Sequence, residues 1–390
     1  MASSHTSRWA IPLSVSLGFP IGLYVSILLL GSFPFFQRHF LYAHRVSTLF
    51  WHDLDQPEYW GFARNQVTPF SLTSVDEENL YAWHILPLPT YLKHENTLQI
   101  QRPGFSEDVS KTESFKLLKD DPDSRLVIYF HGNAGHLAQR FRPDSYHTLT
   151  DSSHYHVLAI DYRGFGKSTG TPSEAGLIYD GVAAVHWAMH IADIPASRIV
   201  IIGHSLGTAV ASGVAEHFAT QGIEFAGVVL VAGFSTLPNL LSTYKAAGFI
   251  PVLSPFRAIP PLFRSFQGFV VDKWKSADRL AHVVSLTQTR LRLTLIHAKN
   301  DLDIPCHESD VLFRSASRAI VDEELDNDGF SSWKEQRTLL RDDGTFVAVA
   351  KADPDTIIRE ELVRYGGHND VMMSSAVSLA VMRSFGLDTS

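Results

Sequence analysis

A single cysteine, Cys306, occurs in the 390 residues, so no intramolecular disulfide can form and the fold must be held by its core. One thiol also gives no indication of redox compartment. Charge of one sign is equally scarce: 33 Lys and Arg stand against 41 Asp and Glu, for a formal net charge of -8, and no long single-sign run stands out. Without a basic stripe nothing can neutralise a phosphate backbone, so nucleic acid is not an expected partner. No internal repeat of solenoid type is evident.

The longest gap in charge lies near the N-terminus. Neither Asp, Glu, Lys nor Arg occurs in residues 9–37, a stretch longer than the roughly 20 apolar residues that cross a bilayer. Residues 1–40 are expected to form a tail and a single transmembrane helix. Pro20 would kink it, Pro34 lies near its end, and Trp9, Phe35, Phe36 and Tyr42 are available as interfacial aromatics. A cleaved signal peptide is the competing reading, but it calls for a shorter apolar core and an A-x-A-like site, whereas Leu28-Leu29-Leu30 leads into Gly31-Ser32. The flanking charges, Arg8 before the span against Arg38 and Arg45 after it, do not favour an inside N-terminus.

Residues 41–390 are expected to be one decorated catalytic domain. Segments 67–74 and 80–86 read as opening strands, with Pro87 and Pro89 ending the second, and 93–123 reads as a polar surface excursion. Leu126-Val127-Ile128-Tyr129-Phe130 is a continuous apolar run of the kind buried on both faces of a parallel sheet. The same grammar returns at 156–160, 198–202, 227–231 and 291–296, mostly separated by helix-length segments. The fold class is therefore α/β, with a mainly parallel sheet and helices on both faces. Residues 237–286 break the alternation; being rich in Phe and Pro, they are read as a cap over the site, with a packing insert as the alternative. Residues 323–355 form a second, more polar insertion with no role assigned.

Gly203-His204-Ser205-Leu206-Gly207 fits G-x-S-x-G between the apolar run at 199–202 and a helix-like stretch at 208–218. The pattern is a nucleophile elbow, whose tight turn demands small residues two before and two after the serine. Ser205 is the expected nucleophile. His131-Gly132-Asn133-Ala134-Gly135 follows the buried run ending at Phe130, where an oxyanion donor is needed, so the Asn133 and Leu206 backbone amides are assigned to the oxyanion hole and His131 to bracing the loop. Chain order then requires an acid and a histidine. The loop after 293–296 offers Asp301 and Asp303, and Gly366-Gly367-His368 places His368 on a flexible loop after another strand.

Three other patterns are set aside. Asp161-Tyr162-Arg163-Gly164-Phe165-Gly166-Lys167-Ser168 lacks the first glycine of a phosphate loop. His186 and His190 are spaced for one helix face but lack a third ligand of matching context. Cys306 is read as a small packed residue.

Together, His131-Gly-Asn-Ala-Gly135, Asp161-Tyr-Arg-Gly-Phe-Gly-Lys-Ser168, Gly203-His-Ser-Leu-Gly207, His297-Ala-x-x-Asp301-x-x-Ile-Pro305 and Gly366-Gly-His-Asn369 resemble the abhydrolase-domain monoacylglycerol and lysophosphatidylserine lipases of the endoplasmic reticulum. The likeness runs over about residues 69–385. It implies an α/β-hydrolase with Ser205 as nucleophile, Asp301 as acid and His368 as base, hydrolysing a lipid ester at a membrane without metal or organic cofactor. No obligate protein partner is inferred. Depalmitoylating thioesterases share the His-Gly-Asn-Ala element and are the alternative; a non-catalytic scaffold is a more distant one. The family's catalytic domain is lumenal and commonly N-glycosylated, yet none of the eight asparagines here is followed by x-Ser or x-Thr. The anchor is expected to serve substrate access alone, so that loss of the first 40 or so residues would spare turnover of a short soluble ester.

Overall fold

The computed structural model describes residues 22–23, 26, 29–46, 52–243, 245–246, 250–251, 260–321 and 325–387. Among them no helix is long and apolar enough to cross a membrane. Most of the expected span at 9–37 lies outside the described residues; its end enters helix α1 (Pro34–Tyr42).

Ten strands form one sheet: β1 (Val67–Thr73), β2 (Asn79–Ile85), β3 (Arg125–Phe130), β4 (Tyr155–Ile160), β5 (Ile199–His204), β6 (Gly227–Val231), β7 (Leu291–Ala298), β8 (Thr338–Leu340), β9 (Phe346–Ala352) and β10 (Thr356–Val363). Their spatial order is β1-β2-β4-β3-β5-β6-β7-β10-β9-β8. The middle, from β4 to β10, is parallel throughout, and antiparallel strands flank it on both sides.

The continuous apolar runs explain why this middle is two-sided. Along β5, Ile199 and Ile201 enter one core while Val200 and Ile202 enter the other, all with no exposed surface. Alternate side chains of a strand point to opposite faces, so a run without polar residues requires helices above and below. On one face lie α5 (Glu174–His186), α6 (Leu206–Ala219), α9 (Ser276–Leu286) and α10 (His307–Arg318), through Val182, Val214, Leu280 and Phe313; on the other lie α4 (Arg142–Thr150) and α12 (Ser375–Ser384), through Tyr146, Leu149, Val377 and Val381. Each fully buried Val, Ile or Leu contributes about 1.5–3 kcal/mol, so these two layers carry most of the stability.

Three readings of the sequence change here. Segment 93–123 is not a plain surface excursion: α2 (Leu88–Gln99) starts on the prolines that were read as strand terminators, and α3 (Glu113–Lys119) follows. A proline in the first turn of a helix costs nothing, because its missing N–H has no partner there anyway. Their apolar residues Tyr91, Leu98, Phe115 and Leu118 are buried.

The interruption at 237–286 is shorter than expected. Leu237 N–H donates to the Lys273 carbonyl at 2.9 Å and Ala277 N–H to the Ser235 carbonyl at 3.1 Å, so the chain returns to its starting point by residue 273. Helix α9 then packs into the core through Leu280, Val283 and Val284. The excursion itself holds α7 (Leu237–Thr243), a two-residue ribbon pairing Lys245–Ala246 with Ile250–Pro251, and α8 (Pro260–Phe269). Residues 244, 247–249 and 252–259 of the expected cap lie outside the described residues.

The insertion at 323–355 has a structural role. After α11 (Asn327–Glu335), strands β8 and β9 add to the side of β10, covering an edge that would otherwise present unpaired backbone groups.

Candidate active site

The elbow follows from close approaches that only glycine permits. A Cβ on Gly203 would lie 2.4 Å from the Gly207 carbonyl oxygen, and one on Gly207 would lie 2.0 Å from that of Phe130. Ser205 between them has φ 54° and ψ -119°, a conformation costing about 1–3 kcal/mol unless the surroundings impose it. They do: Ser205 N–H donates to the Val231 carbonyl at 3.0 Å, and α6 is buried immediately beyond through Ala209, Val210 and Val214.

The carboxyl ends of β5, β7 and β10 bring the three expected triad members together. Ser205 Oγ lies 2.9 Å from His368 Nε2, and His368 Nδ1 lies 2.8 Å from Asp301 Oδ2. Asp301 Oδ1 accepts from the Asp303 and Ile304 amides at 2.9 Å each, which fixes the carboxylate plane. Asp303 thus contributes its N–H to Asp301. Burial opposes the charge of Asp301, but hydrogen bonds from His297 and then His368 outweigh it and hold the carboxyl below its usual range. His368 is fixed from behind as well. His204 Nε2 donates to the His368 carbonyl at 2.8 Å, and Gly367 N–H donates to Asn300 Oδ1 at 2.9 Å. Burial, then neighbouring His368, keeps His204 neutral.

The loop at 132–135 lies against the elbow: a Cβ on Gly132 would come within 2.9 Å of His204 Nδ1 and 3.2 Å of Ser205 Cβ. Arg142, buried under this loop, donates through Nη2 to the carbonyls of Gly132 (2.9 Å), Asn133 (2.8 Å) and Ala134 (2.9 Å), and through Nη1 to that of His136. Turning the carbonyls inward to one guanidinium leaves the amides facing the other way. Among the described residues, the Asn133 backbone N–H has no acceptor. The other expected donor, Leu206, opens α6, where the first amides have no intrahelical acceptor and the helix dipole is positive. His131 braces the loop as expected, through Nδ1 to the Gly132 carbonyl at 2.7 Å.

Residues 127–376 match the sequence profile of the Alpha/beta hydrolase family. The chain belongs to that family. This hydrolase is 27% identical over 310 residues to lysophosphatidylserine lipase ABHD12 of Xenopus tropicalis, covering 79% of the present chain and 72% of the relative. It is 30% identical over 199 residues to protein ABHD12B of Homo sapiens, 51% and 52% of the two chains. A crystal structure of an alpha-beta hydrolase from Vibrio vulnificus shares the fold, with a TM-score of 0.58 over 90% of this chain and 92% of that one at 14% identity.

The segment resembling a phosphate loop has another use in this hydrolase. Asp161 Oδ1 accepts from Leu137 N–H at 2.6 Å beneath the oxyanion loop, while Lys167 pairs with Asp53 at 2.7 Å and Asp55 at 2.6 Å. The rings of His186 and His190 stack, with centroids 5.3 Å apart. Reading the sequence alone misses Arg142, His204 and the part played by His297. An arginine in a stretch with His147, Asp144 and Thr148 looks like any solvated helix residue, and only the tertiary fold turns it inward.

Proposed function

We propose that this hydrolase cleaves carboxylic esters of single-chain lipids, of the monoacylglycerol or lysophospholipid type, through an acyl-enzyme on Ser205. It is a carboxylic ester hydrolase, and its relatives named as lysophosphatidylserine lipases support the lipid class. The observation that carries the mechanism is the relay of 2.9 Å and 2.8 Å from Ser205 through His368 to Asp301.

Ser205 Oγ attacks the ester carbonyl as His368 Nε2 takes its proton, and the charge gathers on the former carbonyl oxygen. The Asn133 and Leu206 amides would receive that oxyanion; one such donor is worth about 10²–10³ in rate. Collapse breaks the bond to the leaving alkoxide, to which His368 returns the proton. Water then repeats the sequence on the acyl-enzyme, releasing fatty acid and free Ser205. Asp301, held ionised, keeps the imidazole in the tautomer with its proton on Nδ1.

The uncharged segment at 9–37 supports a single-pass anchor in the membrane where such a lipid resides, at about 0.8 kcal/mol of partitioning per buried CH₂. By resemblance we place that membrane in the endoplasmic reticulum, with the catalytic domain on the lumenal side, and assign residues 237–273 as a cap. Purified protein in detergent, assayed on monoacylglycerol, lysophosphatidylserine and an S-palmitoyl peptide, tests the substrate class. Fatty acid release from either lipid well above that from the thioester is expected. Preference for the thioester would instead make it a depalmitoylating enzyme.

A further inference from the structure

We infer that helix α1 is a working part of the active site, with Tyr42 and Gln37 as positioning residues that tie the oxyanion loop to the base of the 237–273 excursion. The inference rests on the Asn133 amide as an oxyanion donor. Its foundation is a set of contacts between residues more than 90 positions apart, for which chain connectivity gives no reason. Asn133 Nδ2 donates to the Leu41 carbonyl, and Ala134 N–H donates to the Tyr42 carbonyl at 3.2 Å. The last turn of α1 therefore spends its free carbonyls, which no helix can satisfy internally, on the loop that carries the oxyanion amide.

The same two turns hold the excursion. Tyr42, 1% exposed, donates from its hydroxyl to Asp272 Oδ2 at 2.6 Å and accepts from Trp274 Nε1 at 3.2 Å. One turn earlier, Gln37 donates to the Phe269 carbonyl at 2.7 Å and accepts from Val271 N–H at 3.0 Å, pairing with the chain as a neighbouring strand would. Trp274 N–H in turn donates to Glu174 at the start of α5. Tyr42 and His44 pack on Phe165, which packs on His131 under the loop. Phe35 and Phe40 of α1, and Phe33 at its N-cap, are each more than half exposed.

Two clamps thus act on one short loop. Arg142 draws the carbonyls of 132–134 inward, while α1 takes the Asn133 side chain and the Ala134 amide from outside; what is left without an acceptor among the described residues is the Asn133 backbone N–H. Ala134 and Gly135 are in the left-handed region, at φ 62° and 72°, so the loop needs such restraint to keep one shape. A donor held loosely stabilises the oxyanion less without altering ground-state binding. The loss should fall on kcat rather than KM.

The test uses the full-length protein in detergent with a short water-soluble ester, comparing Tyr42→Phe, Asn133→Ala and their double variant with wild type. Asn133→Ala keeps the backbone amide and removes only the strut to Leu41. Each single variant is expected to lower kcat about tenfold with KM within about twofold, a fraction of the 10²–10³ that a whole donor is worth. The double variant should lose less than the product of the two, because both act on one loop. Phe35→Ala, at an exposed position of the same helix, is expected to leave kcat unchanged. Wild-type kcat in both single variants, with only a lower Tm, would overturn the inference by making α1 a structural support. Absence of fluorophosphonate labelling at Ser205 in wild type would remove the mechanism on which it rests, and so overturn both together.

Discussion

His297 Nε2 lies 3.2 Å from Asp301 Oδ2, the oxygen that His368 Nδ1 approaches from the other side at 2.8 Å. Buried His297 also donates to the Ile304 carbonyl at 3.0 Å, so the carboxylate is held by two imidazoles and two amides. Such a site works only if residue 301 is an anion.

Asp301→Asn is therefore expected to lower kcat by about 10³–10⁴, because an amide presents an N–H where His368 must donate and favours the wrong tautomer. Asp303 supplies only its amide to this arrangement, and Asp303→Asn keeps that amide; its kcat should stay within about tenfold of wild type. Steady-state kinetics on a soluble ester checks the ranking, and the reverse order would move the acid to Asp303.

Arg142 donates to four carbonyls in and just beyond the oxyanion loop, those of Gly132 and His136 in buried bonds and those of Asn133 and Ala134 in part-buried ones. Arg142→Met leaves them without donors, at about 1–3 kcal/mol each before relaxation, so a stability loss of about 3–5 kcal/mol is expected. The midpoint of urea unfolding reads it directly. A loss below about 1 kcal/mol would mean that the loop holds its shape without the guanidinium.

Asp161 gives a dependence on pH whose sign is fixed. Burial pushes its carboxyl up to about 7, against the lowering effects of His136, the Leu137 amide and Arg142. The folded protein holds the proton more tightly than the unfolded chain, whose carboxyl titrates near 3.8. Stability from this group is full below that value, falls as pH rises toward 7, and stays reduced above it. Asp161→Asn removes the titration while keeping an acceptor for Leu137 N–H. Its Tm should gain on wild type between about pH 4 and 7 and run parallel above. A difference independent of pH would contradict the shift.

Much of this was legible in the sequence because the signals were local. The five parallel runs needed only their predominance of apolar residues, and the elbow only its glycines, since the 2.4 Å and 2.0 Å approaches are built into one turn. Ser205 followed from the elbow and His368 from chain order, whereas Asp301 was chosen over Asp303 by the family resemblance. Arg142, His204 and Gln37 were not legible: each acts on a backbone group brought to it by tertiary folding, and a backbone partner leaves no mark on residue identity. Residues 88–99 and 276–286 were misread for a related reason. Pro87 and Pro89 stop a strand and open a helix equally well, and a helix in the core shows the same apolar residues as one in a cap.

The contacts of α1 also change what the N-terminal segment is expected to do. Loss of residues 1–40 removes Gln37 and most of α1, so it should cut turnover of a soluble ester as well as that of vesicle-embedded lysolipid. Loss of residues 1–32 spares α1 and should cut only the membrane substrate. Comparing the two truncations on the two substrates separates access from positioning. Equal soluble-ester turnover in both would return the segment to a role in access alone.

The central claim is that Ser205 forms the acyl-enzyme. Labelling with a fluorophosphonate probe, measured beside ester hydrolysis in wild type and Ser205→Ala, tests it most directly. Wild type should be labelled and active, whereas Ser205→Ala should be unlabelled and slower by several orders of magnitude. Turnover by Ser205→Ala within tenfold of wild type, or labelling that persists without Ser205, would contradict it.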